Sequence, residues 1–93
     1  MKNLNPIIDQ LQDKMNELLD RWLRIPSVRA EGIPGAPFGE ETRRMLTTAL
    51  NDAKAMGFET RDFDGYAGDV RMGPEGKDPL GILAHLDVVP AGD

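Results

Sequence analysis

His85 is the single histidine of this 93-residue chain, and Asp87 stands two positions after it, just beyond the apolar run Leu80-Gly81-Ile82-Leu83-Ala84. Side chains alternate along a strand, so residues at i and i+2 leave the same face. A strand running into His85-Leu86-Asp87 would therefore present an imidazole beside a carboxylate at its end, where parallel sheets place ligand sites. A neutral imidazole binds a divalent metal through one ring nitrogen, and a carboxylate or carbonyl on the other N–H fixes the tautomer and the ring orientation. The same two residues also fit a plainer reading, in which His85 closes a strand and Asp87 opens a turn continued by Pro90.

The run 80–84 is nearly all apolar, as expected of a strand covered on both faces and central in a sheet. The elements before it must supply that cover. Asn5-Pro6 is a helix start, with Asn5 as cap and Pro6 at the first helical position, where a missing N–H is harmless. Leu4, Ile8, Leu11, Met15, Leu18 and Trp22 recur at spacings of three and four, with Ile7, Leu19 and Leu23 widening the stripe, which predicts a long amphipathic helix. Trp22 lies on that stripe and is read as a packing residue. Arg21 and Arg24 suit the helix C-terminus, and Pro26 ends it by disfavouring helical geometry at Ile25.

Residues 26–39 are dense in Pro and Gly without periodicity and read as a loop. A second helix is expected from about Gly39, with Glu40 and Glu41 in its first turn, a buried stripe of Met45, Leu46, Ala49, Leu50, Ala53 and Met56, and Gly57 as a left-handed cap. Glu40 and Glu41 are neighbours that do not face each other on a helix, so they are first-turn acids and not an acid/base pair. Residues 58–63 then read as a strand, Asp64-Gly65 as a two-residue hairpin turn, and the alternation from Tyr66 to Met72 as the returning strand. Residues 73–79 form a turn-rich connector to the apolar run. Helix, helix, hairpin, buried strand is the opening of an α/β layered domain. Two helices do not readily cover a sheet on both faces, so a further part of the domain is expected.

Composition narrows the function. The apolar share of 40% with 29% charged residues is that of a folded globular protein. A net charge of −5 and no clustered Lys and Arg disfavour nucleic acid or an anionic membrane as partner. Without cysteine, any zinc site must draw on His, Asp and Glu. No run approaches the roughly 20 apolar residues of a membrane span, and the N-terminal segment is too interrupted by Asp9, Gln10, Gln12 and Asp13 for a secretory signal. A cytoplasmic protein is expected. There is no Gly-rich phosphate loop, serine-nucleophile motif or internal repeat.

The string Gly81-Ile82-Leu83-Ala84-His85-Leu86-Asp87-Val88-Val89-Pro90-Ala91-Gly92-Asp93 resembles the first metal-ligand motif of the dizinc metallopeptidases that include aminoacylase, carnosinase and succinyl-diaminopimelate desuccinylase. Within that family the chain is most similar to bacterial dipeptidases of the Xaa-His, carnosine-hydrolysing type. Asp64-Gly65-Tyr66-Ala67-Gly68 resembles their Asn-Tyr-Ala-Gly segment, and Gly32-Ile33-Pro34-Gly35-Ala36-Pro37-Phe38-Gly39 their approach to the second helix. The likeness runs over essentially the whole chain and is strongest from Tyr66 onward.

The resemblance implies a three-layer α/β/α zinc-exopeptidase catalytic domain, of which residues 1–93 are the N-terminal portion, with the lid or dimerisation domain absent. It implies two zinc ions that share a bridging carboxylate and a water, and hydrolysis of the amide bond of a dipeptide. His85 matches the first zinc ligand and Asp87 the catalytic-site carboxylate that orients it. The remaining ligands and the general base lie further on in such proteins, so this chain alone is expected to be inactive and to need the remainder of the catalytic domain, or to self-associate. Two alternatives stay open: an amidohydrolase of the same family, a deacylase or desuccinylase, or a noncatalytic module that binds a partner through exposed strand edges.

Overall fold

The computed structural model describes residues 4–74, 76 and 80–92. Helix α1 spans Asn5–Leu23 and helix α2 Glu40–Ala55; strands β1, Glu59–Phe63, and β2, Ala67–Arg71, follow as an antiparallel pair. The chain is thus mixed α/β. Most of the connector expected over 73–79 lies outside the described residues.

α1 begins one residue earlier than its cap signal suggested. Leu4 is the capping residue, its carbonyl accepting the Ile7 and Ile8 amides at 3.1 and 3.0 Å, while Asn5 is already helical and Pro6 falls in the first turn, where no donor is missed. The apolar stripe has formed but is not buried: Leu4, Ile7, Ile8, Leu11, Met15 and Leu19 are all exposed, and no α1 residue is fully covered. Trp22 is half-buried and ties α1 to α2, its indole N–H donating to Asp52 Oδ2 at 2.7 Å, with Arg21 3.3 Å from the same oxygen.

α2 is the better packed helix. Met45 and Leu50 are its buried residues, and the hairpin lies against Leu46 and Leu50. Glu40 and Glu41 occupy the first turn, as expected from the helix dipole. The helix ends through Gly57 at φ 96°, whose amide reaches the Lys54 carbonyl at 3.0 Å while the Phe58 amide reaches that of Ala53 at 3.2 Å. This paired capping satisfies carbonyls that would otherwise be orphaned, and the positive φ suits a residue without Cβ.

The hairpin pairs Glu59 with Arg71 through Phe63 with Ala67. Asp64 and Gly65 both have positive φ, and the Tyr66 amide donates to the Phe63 carbonyl at 3.0 Å, so the turn sits where Asp-Gly placed it. Tyr66 belongs to the loop, however, which makes three residues and not two. Arg61 pairs with Asp69 across the strands, and the hydrogen bond it donates, together with its charge, holds the Asp69 carboxyl below the usual carboxylate range.

The expectation of a buried strand over 80–84 is corrected. None of these residues is in a strand, and Leu80, Ile82 and Leu83 are almost fully exposed. A central parallel strand needs neighbours on both edges and layers on both faces, and the described residues offer only one two-stranded sheet that is already paired with itself. What forms is a single parallel bridge between Val28 and Val88. The accessible surface of 8122 Å² reflects this openness, since a compact monomer of 10.3 kDa has about 5,400 Å².

Candidate functional site

The loop between the helices is more ordered than its Pro and Gly content suggests. After α1 the chain buries Ile25 and Ser27, then doubles back: Ile33 and Ala36 exchange both backbone hydrogen bonds, at 3.0 and 2.8 Å, and the Ala30 amide donates to the Phe38 carbonyl at 2.8 Å. This fold-back sets Phe38 beside Tyr66, ring centroids 5.7 Å apart and edge to face, an arrangement favoured by the ring quadrupoles. The Arg29 guanidinium lies 5.6 Å from the Phe38 centroid.

The hairpin turn locks into the same loop. Asp62 Oδ1 accepts the Gly65 amide at 2.9 Å and its other oxygen meets Arg43 of α2 at 2.5 Å. Gly65 is buried, and a Cβ there would stand 3.0 Å from the Gly35 carbonyl oxygen and from Pro37 Cδ. The absence of a side chain is what lets Tyr66 approach the loop.

Against this wall lies the segment carrying His85 and Asp87. The Ser27 hydroxyl donates to the Leu86 carbonyl at 2.9 Å, and the Val88 amide donates to the Ser27 carbonyl at 3.0 Å. The two residues singled out from the sequence are brought together: His85 Nδ1 is 3.1 Å from Asp87 Oδ1 and 3.1 Å from the Asp87 carbonyl oxygen. A carboxylate and a carbonyl oxygen only accept, so Nδ1 carries the hydrogen, and it is in the neutral ring that Nε2 keeps its lone pair. Both side chains are largely exposed. They border an open cleft of about 410 Å³ that Arg29, Phe38, Thr42 and Tyr66 also line.

As a metal site this arrangement fits one ligand, not a complete set. Among the described residues no group of three or more His, Cys, Asp or Glu is placed to hold an ion, whereas a catalytic zinc draws on about three protein ligands. Two residues of the cleft, Arg29 and Phe38, and Ser27, which holds the Leu86 carbonyl, were not singled out by sequence reasoning. Ser27 meets Leu86 across 59 positions, a link that no local pattern encodes.

Comparison with known proteins places these observations. No protein-family model matches the chain. A Bacillus subtilis (strain 168) protein named "Putative dipeptidase YtjP" is 47% identical over 74 residues, 77% of this chain and 16% of that protein. A Staphylococcus epidermidis protein named "Putative dipeptidase" is 42% identical over 86 residues, 90% of this chain and 18% of its own length. The chain is similar to proteins named as putative dipeptidases. A Staphylococcus aureus (strain USA300) protein with the same kind of name is 42% identical over 88 residues, 92% of this chain and 19% of its own length. The chain thus spans under a fifth of the length of the curated relatives it matches. Among the described residues no helix is long and apolar enough to cross a membrane.

Proposed function

We propose that this chain is the N-terminal part of the catalytic domain of a zinc-dependent dipeptidase, in which His85 is a metal ligand and Asp87 the carboxylate that orients it. The observation that carries the reading is the 3.1 Å approach of Asp87 Oδ1 to His85 Nδ1, in a chain 42–47% identical to proteins named as dipeptidases. In the neutral imidazole it leaves Nε2 as the nitrogen available to a metal.

His85, with ligands from elsewhere in the protein, would hold zinc, which would supply Lewis-acid polarisation of the scissile carbonyl and a water nucleophile near neutral pH. The part of this chain is positional. Asp87 holds the Nδ1 proton and so keeps the imidazole in one tautomer and one orientation, which also raises its basicity. Phe38 and Tyr66 form an apolar wall beside His85 on which the substrate lies.

The other ligands and the general base come, in this reading, from a remainder of the protein that covers the α1 stripe and completes a sheet around 80–84. The accessible area, about half as large again as that of a compact monomer, supports such a partner. Two zinc ions, a dipeptide substrate and a cytoplasmic location complete the proposal, and the 93-residue chain alone is inactive and prone to self-association.

The test is hydrolysis by the longer protein. Dipeptides should be cleaved, chelation should abolish cleavage and added zinc should restore it. Preferential cleavage of N-acyl or N-succinyl amino acids would move the protein to the amidohydrolases, and unaltered activity after complete zinc removal would overturn the metal assignment.

A further inference from the structure

We infer that Ser27 is a positioning residue for His85, acting through the backbone on either side of Asp87. The inference rests on the reading of His85 as a ligand for its purpose, but on geometry for its content. Ser27 is the one buried polar residue among those described, 2% exposed in a chain with little interior. A hydroxyl is taken out of water at a loss unless it is hydrogen-bonded, and this one is spent on the Leu86 carbonyl at 2.9 Å.

The bridge between Val28 and Val88 does not require that hydroxyl. Any residue at position 27 would supply the carbonyl that accepts the Val88 amide at 3.0 Å. The side chain adds a second hold two residues earlier, on the carbonyl of Leu86, between His85 and Asp87. Two hydrogen bonds from one buried residue, to Leu86 and to Val88, thus bracket Asp87. The Leu86 carbonyl belongs to the peptide plane that enters Asp87 and the Val88 amide to the plane that carries the Asp87 carbonyl, so the two bonds hold the backbone on both sides of the residue whose carboxylate and carbonyl oxygen meet His85 Nδ1. Of the neighbouring side chains Ile82, Leu83 and Val89 stand in solvent, and Leu86 is half-buried. The order of the His85 ring is therefore set from Ser27, 58 positions away in sequence.

The test compares Ser27→Ala with Ser27→Thr, which keeps the hydroxyl, in the 93-residue chain. Two readouts apply: hydrogen exchange of the Val88 amide and the ring nitrogen signals of His85, with the amides of β1 and β2 as an internal control for folding. Loss of a hydrogen bond of typical strength should speed Val88 exchange by about fivefold or more in the alanine variant. The His85 ring should pass from one tautomer to a mixture, and the threonine variant should restore both signals while the hairpin amides stay protected in all three proteins. In the longer dipeptidase Ser27→Ala should weaken zinc binding by about tenfold, with kcat reduced and KM little changed. An alanine variant with native Val88 protection and a native His85 tautomer would overturn the inference. So would loss of both signals in alanine and threonine variants alike with the hairpin amides intact. If the longer protein needed no zinc, the functional reading would fall, yet the ring signature would still decide what Ser27 does.

Discussion

The hairpin packed on α2 is largely polar and the segment 80–92 largely apolar, yet only the first is organised by what this chain contains. Met45 and Leu50 are buried, and a Cβ on Gly68 of β2 would stand 2.9 Å from Leu50 and 3.0 Å from Leu46, so helix and sheet meet closely there. Leu80, Ile82 and Leu83 have no such neighbours. The difference is one of range. A helix satisfies its backbone within itself and a hairpin within a dozen residues, whereas a parallel strand depends on partners brought from far along the chain. Apolar composition states that a segment is suited to burial; it does not supply the surface that buries it.

Truncating the body should have the largest effect. Leu50→Ala and Met45→Ala each remove a buried α2 side chain, Leu50 at the junction with the hairpin, and each is expected to destabilise the packed body by about 2–5 kcal/mol; chemical denaturation followed by helix signal measures it. An unfolding midpoint unchanged by Met45→Ala would mean that the body is as loosely held as the segment.

A smaller effect is expected from acid. The hydrogen bond from Arg61 and its positive charge lower the folded-state pKa of Asp69, so this pair contributes stability that is present above the ordinary carboxylate range, about pH 4, and is lost as pH falls through the lowered folded value. Hairpin amide protection should decline on acidification in that window, and Asp69→Asn should flatten the decline. An identical acid profile in the variant would remove the pair from the account.

Least of all should be seen at the unpartnered run. Leu83→Ser in the 93-residue chain should change stability by no more than about 0.5 kcal/mol, as for an exposed position free of special contacts. The same substitution in the longer protein should be destabilising if that protein covers the run. Equal indifference in both would contradict the idea of a completed sheet.

What was legible in the sequence follows the same division. The three- and four-residue spacing of α1, the acids at the start of α2, Gly57 as its cap and Asp64-Gly65 as the turn are local signals, and each appears in place. The displaced cap at Leu4 and the third loop residue Tyr66 are errors of one residue, set by hydrogen bonds that periodicity does not reveal. The apolar run carried the right composition for a strand but not its partners. In the site, the approach of His85 to Asp87 was legible because i and i+2 spacing is local. Ser27 was not, because a single serine between Pro26 and Val28 has no pattern, and its acceptor lies 59 residues on. Phe38 was visible only as part of a Pro/Gly-rich loop; the Ile33–Ala36 fold-back that turns it toward Tyr66 is a matter of backbone pairing.

The central claim, that His85 is a ligand and Asp87 its orienting carboxylate, is tested most directly by zinc content in the longer protein after dialysis, wild type against His85→Ala and Asp87→Ala. Loss of the imidazole should remove about one zinc per chain, while loss of the carboxylate should weaken zinc by about 10–100-fold and leave it recoverable at higher concentration. Wild-type zinc content in His85→Ala would contradict the account.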